Sequence, residues 1–284
     1  MTIRELLNNS IESLVKNNRE ERAAYELLKN VLVLESYELY NKLDDILQDD
    51  EINQFNALLN EYIEGRPLQH ILGYETFLGR DIIVNEDVLI PRYETEELVE
   101  NILYHIDDYF EKYDEIKVAD IGSGSGAIAL TLDLEEPKTK MYGVDISLDA
   151  IEVAKENSNK FEAKVEYFQG NLIEPLLDNK IKVDILVSNP PYIPDSEYVE
   201  DNVKDYEPNI ALFGGKKGLD FYERIFKDAN KVINERALLA FEIGHNQKEE
   251  ITNLVKKYFD DEFEILKDIN GKDRMLFIYH NIER

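Results

Sequence analysis

A strand, a glycine-rich loop and a helix follow one another without a gap at residues 116–132. The apolar residues of 116–121 predict a strand, residues 122–126 read Gly-Ser-Gly-Ser-Gly, and 127–132 is the apolar start of a helix. Glycine lets the backbone turn sharply and lets a ligand approach closely. This order of elements is typical of nucleotide-binding sheets, so the chain is expected to form an α/β fold.

The second half of the chain predicts a mostly parallel sheet. Helical segments between the earlier strands favour parallel pairing through right-handed crossovers. Asn270-Gly271 is a strong hairpin signal between the last two strands, so an antiparallel strand is expected near the end of the chain. The predicted strands are 116–121, 140–145, 163–168, 183–188, 236–243, 263–268 and 274–280.

The first 73 residues predict a small helical bundle. Apolar residues recur at helical spacing in 3–15, 23–32, 43–47 and 52–63, and Gly65 and Pro67 mark the end of the last run. Three domains are therefore expected. They are the bundle (1–73), a connector with a β-hairpin whose turn contains Gly79 (74–90), and a catalytic domain (91–284).

The sequence Asn-Pro-Pro-Tyr at 189–192, here called the elbow, follows the apolar run 183–188. It should lie where a buried strand ends and a loop begins. The two prolines stiffen the elbow and contribute no backbone N–H, which leaves carbonyls available to a ligand. Asn189 adds a carboxamide and Tyr192 a flat aromatic face, so the elbow can hold a planar –NH2 group through two acceptors. The four residues alone leave a rigid turn capped by Asn189 as the alternative.

Two polar positions at strand ends suggest a nucleoside site. Asp145 ends the second strand, and an acid there can accept hydrogen bonds from ribose hydroxyls. Its alternative role is to cap the next helix, but Ser147 is better placed as the cap. Asn171 and Leu172 follow the third strand, where residues commonly flank an adenine ring, and Asn171 can equally be an ordinary turn residue.

The carboxyl ends of parallel strands meet at one crevice, so these groups should share a pocket. The spacing Gly-x-Gly-x-Gly differs from the Gly-x-Gly-x-x-Gly of dinucleotide-binding loops, and no Walker lysine follows it. A ligand bound through its pyrophosphate is therefore disfavoured. Adenosine without phosphate beside a captured –NH2 group suggests S-adenosylmethionine and methyl transfer. The candidate cofactor-binding residues are Gly122, Ser123, Gly124, Ser125, Gly126, Asp145, Asn171, Leu172 and Asn189.

Composition limits the function classes. A net charge of −28 argues against a nucleic-acid surface and suits attraction to a basic partner. There is no cysteine, and the four histidines form no ligand motif, so no metal site is expected. No apolar run could span a bilayer and the N-terminus is not a signal peptide, which predicts a cytoplasmic enzyme without membrane association.

A series of short motifs runs along almost the whole chain. They are Leu-Gln-His-Ile-Leu-Gly at 68–73, Leu-Ile-Pro-Arg-Tyr-Glu-Thr-Glu at 89–96, the elbow, Glu-Pro at 207–208, Ala-Leu-Phe-Gly-Gly at 211–215, Gly-Leu-Asp at 218–220, Glu-Ile-Gly at 242–244 and Gly-Lys-Asp-Arg at 271–274. Their order and spacing resemble those of the HemK-type protein-(glutamine-N5) methyltransferases of peptide-chain release factors. His70, Tyr93 and Lys217 depart from the family pattern, where tyrosine, proline and an acid are usual.

The resemblance implies a seven-stranded, class I Rossmann-like methyltransferase sheet and S-adenosylmethionine as the methyl donor. The substrate it implies is the glutamine of the Gly-Gly-Gln tripeptide of release factors, with the N-terminal bundle as the candidate surface for that partner. It assigns catalysis to Asn189, Pro190 and Tyr192, and substrate binding to these three together with Pro191. Arg92, Glu94 and Glu96 are interpreted as a capping group for a helix that begins near Thr95.

Three other functions remain open from the residues. The first is an amino-methyltransferase acting on adenine or guanine of nucleic acid, because an Asn-Pro-Pro-Tyr elbow can also hold an exocyclic amine. The second is a non-enzymatic adaptor that retains a ligand pocket. The third is a dinucleotide oxidoreductase, which the glycine spacing disfavours.

Overall fold

A computed structural model of the chain describes residues 1–199 and 201–283. It divides into two compact units. The first comprises Met1–Tyr74 with Val199–Tyr206, and the second comprises Glu75–Tyr198 with Glu207–Arg284. The hairpin that was predicted as a connector is thus grouped with the sheet-bearing unit.

The first unit is helical. Its apolar residues, among them Leu14, Leu27 and Phe55, form one buried cluster. The helices are α1 (Ile3–Lys16), α2 (Arg22–Leu32), α3 (Ser36–Asn41), α4 (Asp49–Glu64), α5 (Leu68–Leu72) and α10 (Asp201–Tyr206).

Two details of the helical prediction can be compared with the structure. Gly65 ends α4 with φ +119°, a left-handed conformation that favours glycine, so the predicted stop is confirmed. The prediction of a helix over 43–47 is wrong. This segment turns back on α1, where Ile3 N–H donates to the Asp45 carbonyl and Thr2 forms an isolated bridge with Ile46.

The second unit alternates strands and helices, as the α/β prediction requires. Its strands are β1 (Tyr74–Phe77, which starts at the unit boundary), β2 (Arg80–Ile83), β3 (Ile116–Ile121), β4 (Thr139–Asp145), β5 (Val165–Gln169), β6 (Val183–Ser188), β7 (Ile233–Glu242), β8 (Glu262–Lys267) and β9 (Asp273–His280). Its helices are α6 (Tyr93–Phe110), α7 (Ala127–Glu135), α8 (Leu148–Phe161), α9 (Glu174–Asp178), α11 (Asp220–Ala229) and α12 (Lys248–Tyr258), with a short 3-10 turn at Asn209–Ala211.

The main sheet has seven strands in the order β5-β4-β3-β6-β7-β9-β8. Strands β3 to β7 pair in parallel, while β9 is antiparallel to both β7 and β8. The predicted seven-stranded, mostly parallel sheet with a late antiparallel strand is therefore confirmed. The chain winds outward from β3 in one direction and from β6 in the other, so the strand order reverses between these two neighbours. Such a switch point opens a crevice at the carboxyl ends of the strands.

The strand ends differ from the prediction by up to three residues. β7 begins at Ile233 instead of 236 because its first residue pairs with Val183 at the start of β6. The central strands are buried on both faces, and β6 is buried along its whole length. Two apolar clusters cover the sheet, one containing residues of α6 and α7 and the other residues of α11 and α12. The packing of these two clusters against the sheet fixes the positions of the ends of β3 and β6.

Within the described residues, no helix combines the length and the apolar character needed to cross a bilayer.

Candidate active site

A cavity of about 220 Å³ lies at the switch point between β3 and β6. It is lined on one side by the residues that follow β3 and β4, and on the other by the elbow that follows β6. Apolar side chains and backbone make up much of the wall. The lining residues that matter for the site are Asp87, Val88, Gly122, Gly124, Asp145, Ile146, Asn171, Leu172, Asn189, Pro190, Pro191, Ile210, Phe221 and Arg224.

Asp145 is tied directly to the glycine loop. One carboxylate oxygen accepts a hydrogen bond of 2.9 Å from the Gly124 N–H, and the other accepts one of 2.9 Å from the Ser147 N–H. The Ser147 hydroxyl in turn caps α8 by accepting from the Ala150 N–H, as predicted. A carboxylate offers about four lone-pair positions, so Asp145 retains acceptor capacity toward the cavity.

The predicted glycine-loop residues divide into two groups. Gly122 and Gly124 line the cavity, whereas Ser123, Ser125 and Gly126 are not among the residues described as lining it. Ser123 and Ser125 instead hold the loop in shape. The Ser123 hydroxyl donates to the Asp120 carboxylate at 2.6 Å, and the Ser125 carbonyl accepts from the Asn157 side chain.

Asn171 and Leu172 both line the cavity, next to Gly170. The Asn171 carboxamide is already engaged on both sides. Its Nδ2 donates to Glu174 at 3.0 Å, and its Oδ1 accepts from Arg224 at 2.7 Å. Leu172 adopts φ +52°, which is uncommon for a residue with a side chain. At this strand end the cavity wall thus consists of an apolar surface from Leu172 and of the Asn171 carboxamide, which its two hydrogen bonds hold in place.

The elbow presents two acceptors at the cavity wall. The Asn189 Nδ2 donates to the Thr95 hydroxyl at 3.0 Å, which leaves its Oδ1 available. Among the described residues, no donor reaches either that oxygen or the Pro190 carbonyl. Tyr192 is not among the residues described as lining the cavity, and its hydroxyl donates to Glu242 at 3.2 Å.

Backbone packing holds the elbow from behind. The Gln247 side chain donates to the Tyr192 carbonyl at 3.0 Å and to the Lys217 and Gly218 carbonyls at 3.1 and 3.2 Å. Gly218 approaches so closely that an added Cβ would lie 1.9 Å from the Tyr192 oxygen. Only glycine permits this contact, which explains the glycine at the start of the Gly-Leu-Asp motif.

Glu242 is the buried acid behind the elbow. Its Oε2 accepts from the Thr95 hydroxyl at 2.5 Å and its Oε1 accepts from Tyr192. Burial raises the pKa of Glu242 above its usual range, although the hydrogen bonds from Thr95 and Tyr192 and the charge of Arg274 favour the ionised form. Burial also raises the pKa of Tyr192 well above its usual range, and the nearby Glu242 charge adds to this. Tyr192 is therefore a neutral hydrogen-bond donor here, not a base.

Arg92 occupies the N-cap position of α6 and Glu94 and Glu96 lie in its first turn, but none of the three side chains makes a capping hydrogen bond, so their interpretation as a capping group is wrong. The helix begins at Tyr93, two residues earlier than predicted, and no side chain caps it. Arg92 instead pairs with Glu207 at 2.7 Å, and Glu96 accepts from the Leu78 N–H at 2.7 Å. Glu207 also accepts from the Ile90 N–H, so it links the segment before α6 to the Glu-Pro motif.

Comparison with known proteins agrees with this geometry. Residues 5–73 match the family model of the PrmC N-terminal domain, and residues 101–205 match that of the methyltransferase small domain. The release factor glutamine methyltransferase of Bacillus cereus is 41% identical over 280 residues, covering 98% of this chain and 99% of that protein. The enzyme of the same name from Bacillus subtilis is 41% identical over 278 residues, covering 97% and 96%.

This chain belongs to the release factor glutamine methyltransferase family.

Solved structures of lower identity support the fold alone. The hMettl16 catalytic domain, solved in complex with the MAT2A 3'UTR hairpin 6, aligns with a TM-score of 0.54 at 12% identity, covering 84% of this chain and 83% of that one. The resemblance drawn from the motifs is therefore confirmed by the full-length relatives, and the methyltransferase fold by the sheet order.

Two departures from the usual motifs of the release factor glutamine methyltransferases have a simple structural account. Tyr93 is exposed at the first turn of α6, and the Lys217 side chain is exposed while its backbone carbonyl binds Gln247. Neither side chain is needed for the contacts described above. The third departure, His70, is buried within the helical unit.

Sequence reasoning missed several residues of this site. Gln247 lies outside the quoted motifs, and Thr95 lies in the motif at 89–96 without a local pattern for its role, because both act through contacts with residues distant in the chain. Asp87, Ile210 and Phe221 also line the cavity without a local pattern that could have marked them. Their places depend on how loops from three parts of the second unit meet.

Proposed function

We propose that this protein transfers a methyl group from S-adenosylmethionine to the side-chain amide nitrogen of the glutamine in the Gly-Gly-Gln tripeptide of peptide-chain release factors. The single observation that carries the proposal is that two acceptors of the elbow, which no donor reaches within the described part of the chain, share a cavity with the Asp145 carboxylate and the glycine loop. Membership of the release factor glutamine methyltransferase family supports the same reaction. The N-terminal helical unit is the candidate surface for the release factor.

The residues of the cavity fit the proposed cofactor. Asp145 keeps lone pairs for ribose hydroxyls while it holds the Gly124 and Ser147 N–H groups. Ile146 and Leu172 supply apolar surface for an adenine ring. When bound, the cofactor supplies an electrophilic methyl group on a positively charged sulfur.

The chain must then orient a weak nucleophile. An amide nitrogen shares its lone pair with the carbonyl, and its pKa makes prior deprotonation by a side chain implausible. Asn189 Oδ1 and the Pro190 carbonyl can each accept one of the two amide hydrogens, which aligns the nitrogen and stabilises the positive charge that develops on it. Orientation of this kind can contribute on the order of 7–11 kcal/mol. The proton leaves after transfer, to water.

Pro191 and Tyr192 support this arrangement in different ways. Pro191 stiffens the elbow and lines the cavity. Tyr192 anchors the elbow through its hydroxyl bond to Glu242 and its carbonyl bond to Gln247. The earlier expectation that its ring packs against the substrate amide remains a prediction.

The nucleic-acid alternative has less support. An exocyclic amine would suit the same two acceptors, but a net charge of −28 opposes a polyphosphate substrate. Release factor, RNA and DNA can be compared directly as methyl acceptors.

The deciding experiment is mass spectrometry of a purified release factor after incubation with this protein and S-adenosylmethionine. A single added methyl group on the tripeptide glutamine is expected. A release factor with that glutamine replaced by alanine is the control and should remain unmodified. Methylation of RNA or DNA with no change in the release factor would overturn the proposal.

A further inference from the structure

The Asn189 carboxamide is connected to a buried acid through one hydroxyl group. Asn189 Nδ2 donates to Thr95 Oγ1 at 3.0 Å, and Thr95 Oγ1 donates to Glu242 Oε2 at 2.5 Å. Thr95 is 4% exposed and Glu242 is 1% exposed, so water does not compete for these bonds. The three residues come from the elbow, from α6 and from the end of β7.

The side chain of Glu242 accepts a hydrogen bond at each oxygen, from the Thr95 hydroxyl at Oε2 and from the Tyr192 hydroxyl at Oε1. The Thr95 proton therefore points toward Glu242. Its remaining lone pairs face Asn189, so only the –NH2 side of the carboxamide can satisfy them.

A carboxamide has two nearly isosteric orientations, and the choice between them decides what the elbow recognises. With Nδ2 toward Thr95, Oδ1 faces the cavity and accepts an N–H from a ligand. In the reverse orientation Oδ1 would meet the Thr95 lone pairs, and the cavity would receive a donor. A donor there would repel the –NH2 of a glutamine side chain.

We propose that Thr95, oriented by Glu242, is a positioning residue that fixes the Asn189 carboxamide with its oxygen toward the substrate amide. The inference rests on the proposed function and adds the reason why the elbow accepts an –NH2 group and not a hydrogen-bond acceptor. Thr95 acts through Asn189 and does not itself touch the substrate.

A matched pair of variants tests the role of the Thr95 hydroxyl. Thr95→Val removes the hydroxyl at nearly constant volume, and Thr95→Ser keeps it. Thr131→Val is the control, because Thr131 is equally buried and its hydroxyl makes no hydrogen bond within the described residues. If Thr95→Val does not fold, as judged by thermal unfolding, Thr95→Ala replaces it.

For release factor methylation, Thr95→Val should lower kcat by about 10–100-fold, as expected for a lost orienting hydrogen bond. Affinity for S-adenosylhomocysteine, measured by calorimetry, should change less than about 3-fold. Thr95→Ser should recover most of kcat, and Thr131→Val should match the wild type. A folded Thr95→Val with wild-type kcat, or a Thr95→Ser as slow as Thr95→Val, would overturn the proposal.

A double-mutant cycle tests whether Glu242 acts through Thr95. Glu242→Ala should lower kcat strongly in the wild type and by a smaller factor in Thr95→Val, because only the Glu242 bond to Tyr192 is then left to lose. Glu242→Gln serves if the alanine variant does not fold. If the kcat losses of the two single variants are fully additive in the double variant, Glu242 does not act through Thr95.

An activity-free measurement separates this inference from the proposed function. In protein labelled with ¹⁵N-asparagine, the side-chain amide signals of Asn189 are identified by their loss in Asn189→Ala. Their hydrogen exchange should quicken at least about 10-fold in Thr95→Val and stay near the wild-type rate in Thr95→Ser. If the exchange changes as expected but no release factor is methylated, the proposed function fails, while the orienting role of Thr95 toward Asn189 is supported. Unchanged exchange in Thr95→Val would refute the orienting role of Thr95 and leave the proposed function untouched.

Discussion

The Gly124 N–H donates a 2.9 Å hydrogen bond to the Asp145 carboxylate, across the gap between the loop after β3 and the end of β4. The residue proposed to bind ribose therefore also holds the glycine loop in place. With the proposed ribose contact, a change at Asp145 affects both cofactor affinity and the geometry of the loop.

Asp145→Ala should weaken the binding of S-adenosylmethionine by roughly 10–100-fold, since it removes charge-assisted hydrogen bonds both to the ligand and to the loop. Isothermal calorimetry measures the change. Asp149→Ala is a matched control, because Asp149 is exposed on the first turn of α8 and is not among the residues described as lining the cavity. Equal affinity in Asp145→Ala and the wild type would contradict the ribose assignment.

Asn189→Ala should lower kcat for release factor methylation by about 10²–10³-fold, because one of the two acceptors for the amide hydrogens is lost. Binding of S-adenosylhomocysteine should change little, since the elbow contributes mainly to the substrate side. The exposed Asn159→Ala is the control. Parallel losses of turnover and cofactor affinity in Asn189→Ala would mean that the residue shapes the pocket instead of holding the substrate.

Gly218→Ala should destabilise the protein and lower kcat, because an added Cβ would lie 1.9 Å from the Tyr192 carbonyl oxygen at φ +68°. Gly271→Ala separates the two causes. Gly271 has φ +76°, but an added Cβ there would meet nothing within 4 Å. Both variants should lose about 1 kcal/mol or more from backbone strain, and only Gly218→Ala should also lose activity. Urea unfolding and steady-state kinetics provide the comparison, and equal activity in the two variants would refute the close-packing argument.

Asp120 lies fully buried beneath the glycine loop. Burial raises the pKa of Asp120 to about 7 from its ordinary value of 3.8, although the Ser123 hydroxyl favours the charged form. The folded state therefore holds a proton that the unfolded state releases between about pH 4 and pH 7. The stability that this carboxyl contributes is complete below about pH 4 and is lost as the pH rises through 7.

Asp120→Asn should remove this dependence. The free energy of unfolding of the variant relative to the wild type should rise between pH 5 and pH 8 by on the order of 2 kcal/mol. Urea denaturation at the two pH values measures it. A difference that does not change with pH would show that Asp120 is ionised throughout this range in the folded protein.

The strands and the site loops of this protein could be read from local sequence. β6 consists of six consecutive buried residues, so its apolar run identified it, and the prolines at 190–191 fixed where it ends. The glycine loop and Asp145 were equally readable, because each follows a strand whose carboxyl end must face the crevice. The helix predicted over 43–47 failed because apolar spacing alone cannot distinguish a helix from a turn, and here Leu47 is buried while Ile46 is exposed.

The tertiary structure alone decided how the elbow is held and oriented. Thr95 and Asn189 are 94 residues apart, and Thr95 and Glu242 are 147 apart, so no local pattern could pair them. The Gln247 contact with the Tyr192 carbonyl spans 55 residues and is likewise invisible in the sequence. Local sequence determines which residues end strands, because periodicity and turn chemistry act over a few positions. Which buried polar groups meet depends on the packing of distant elements, because each group must find a partner once water is excluded.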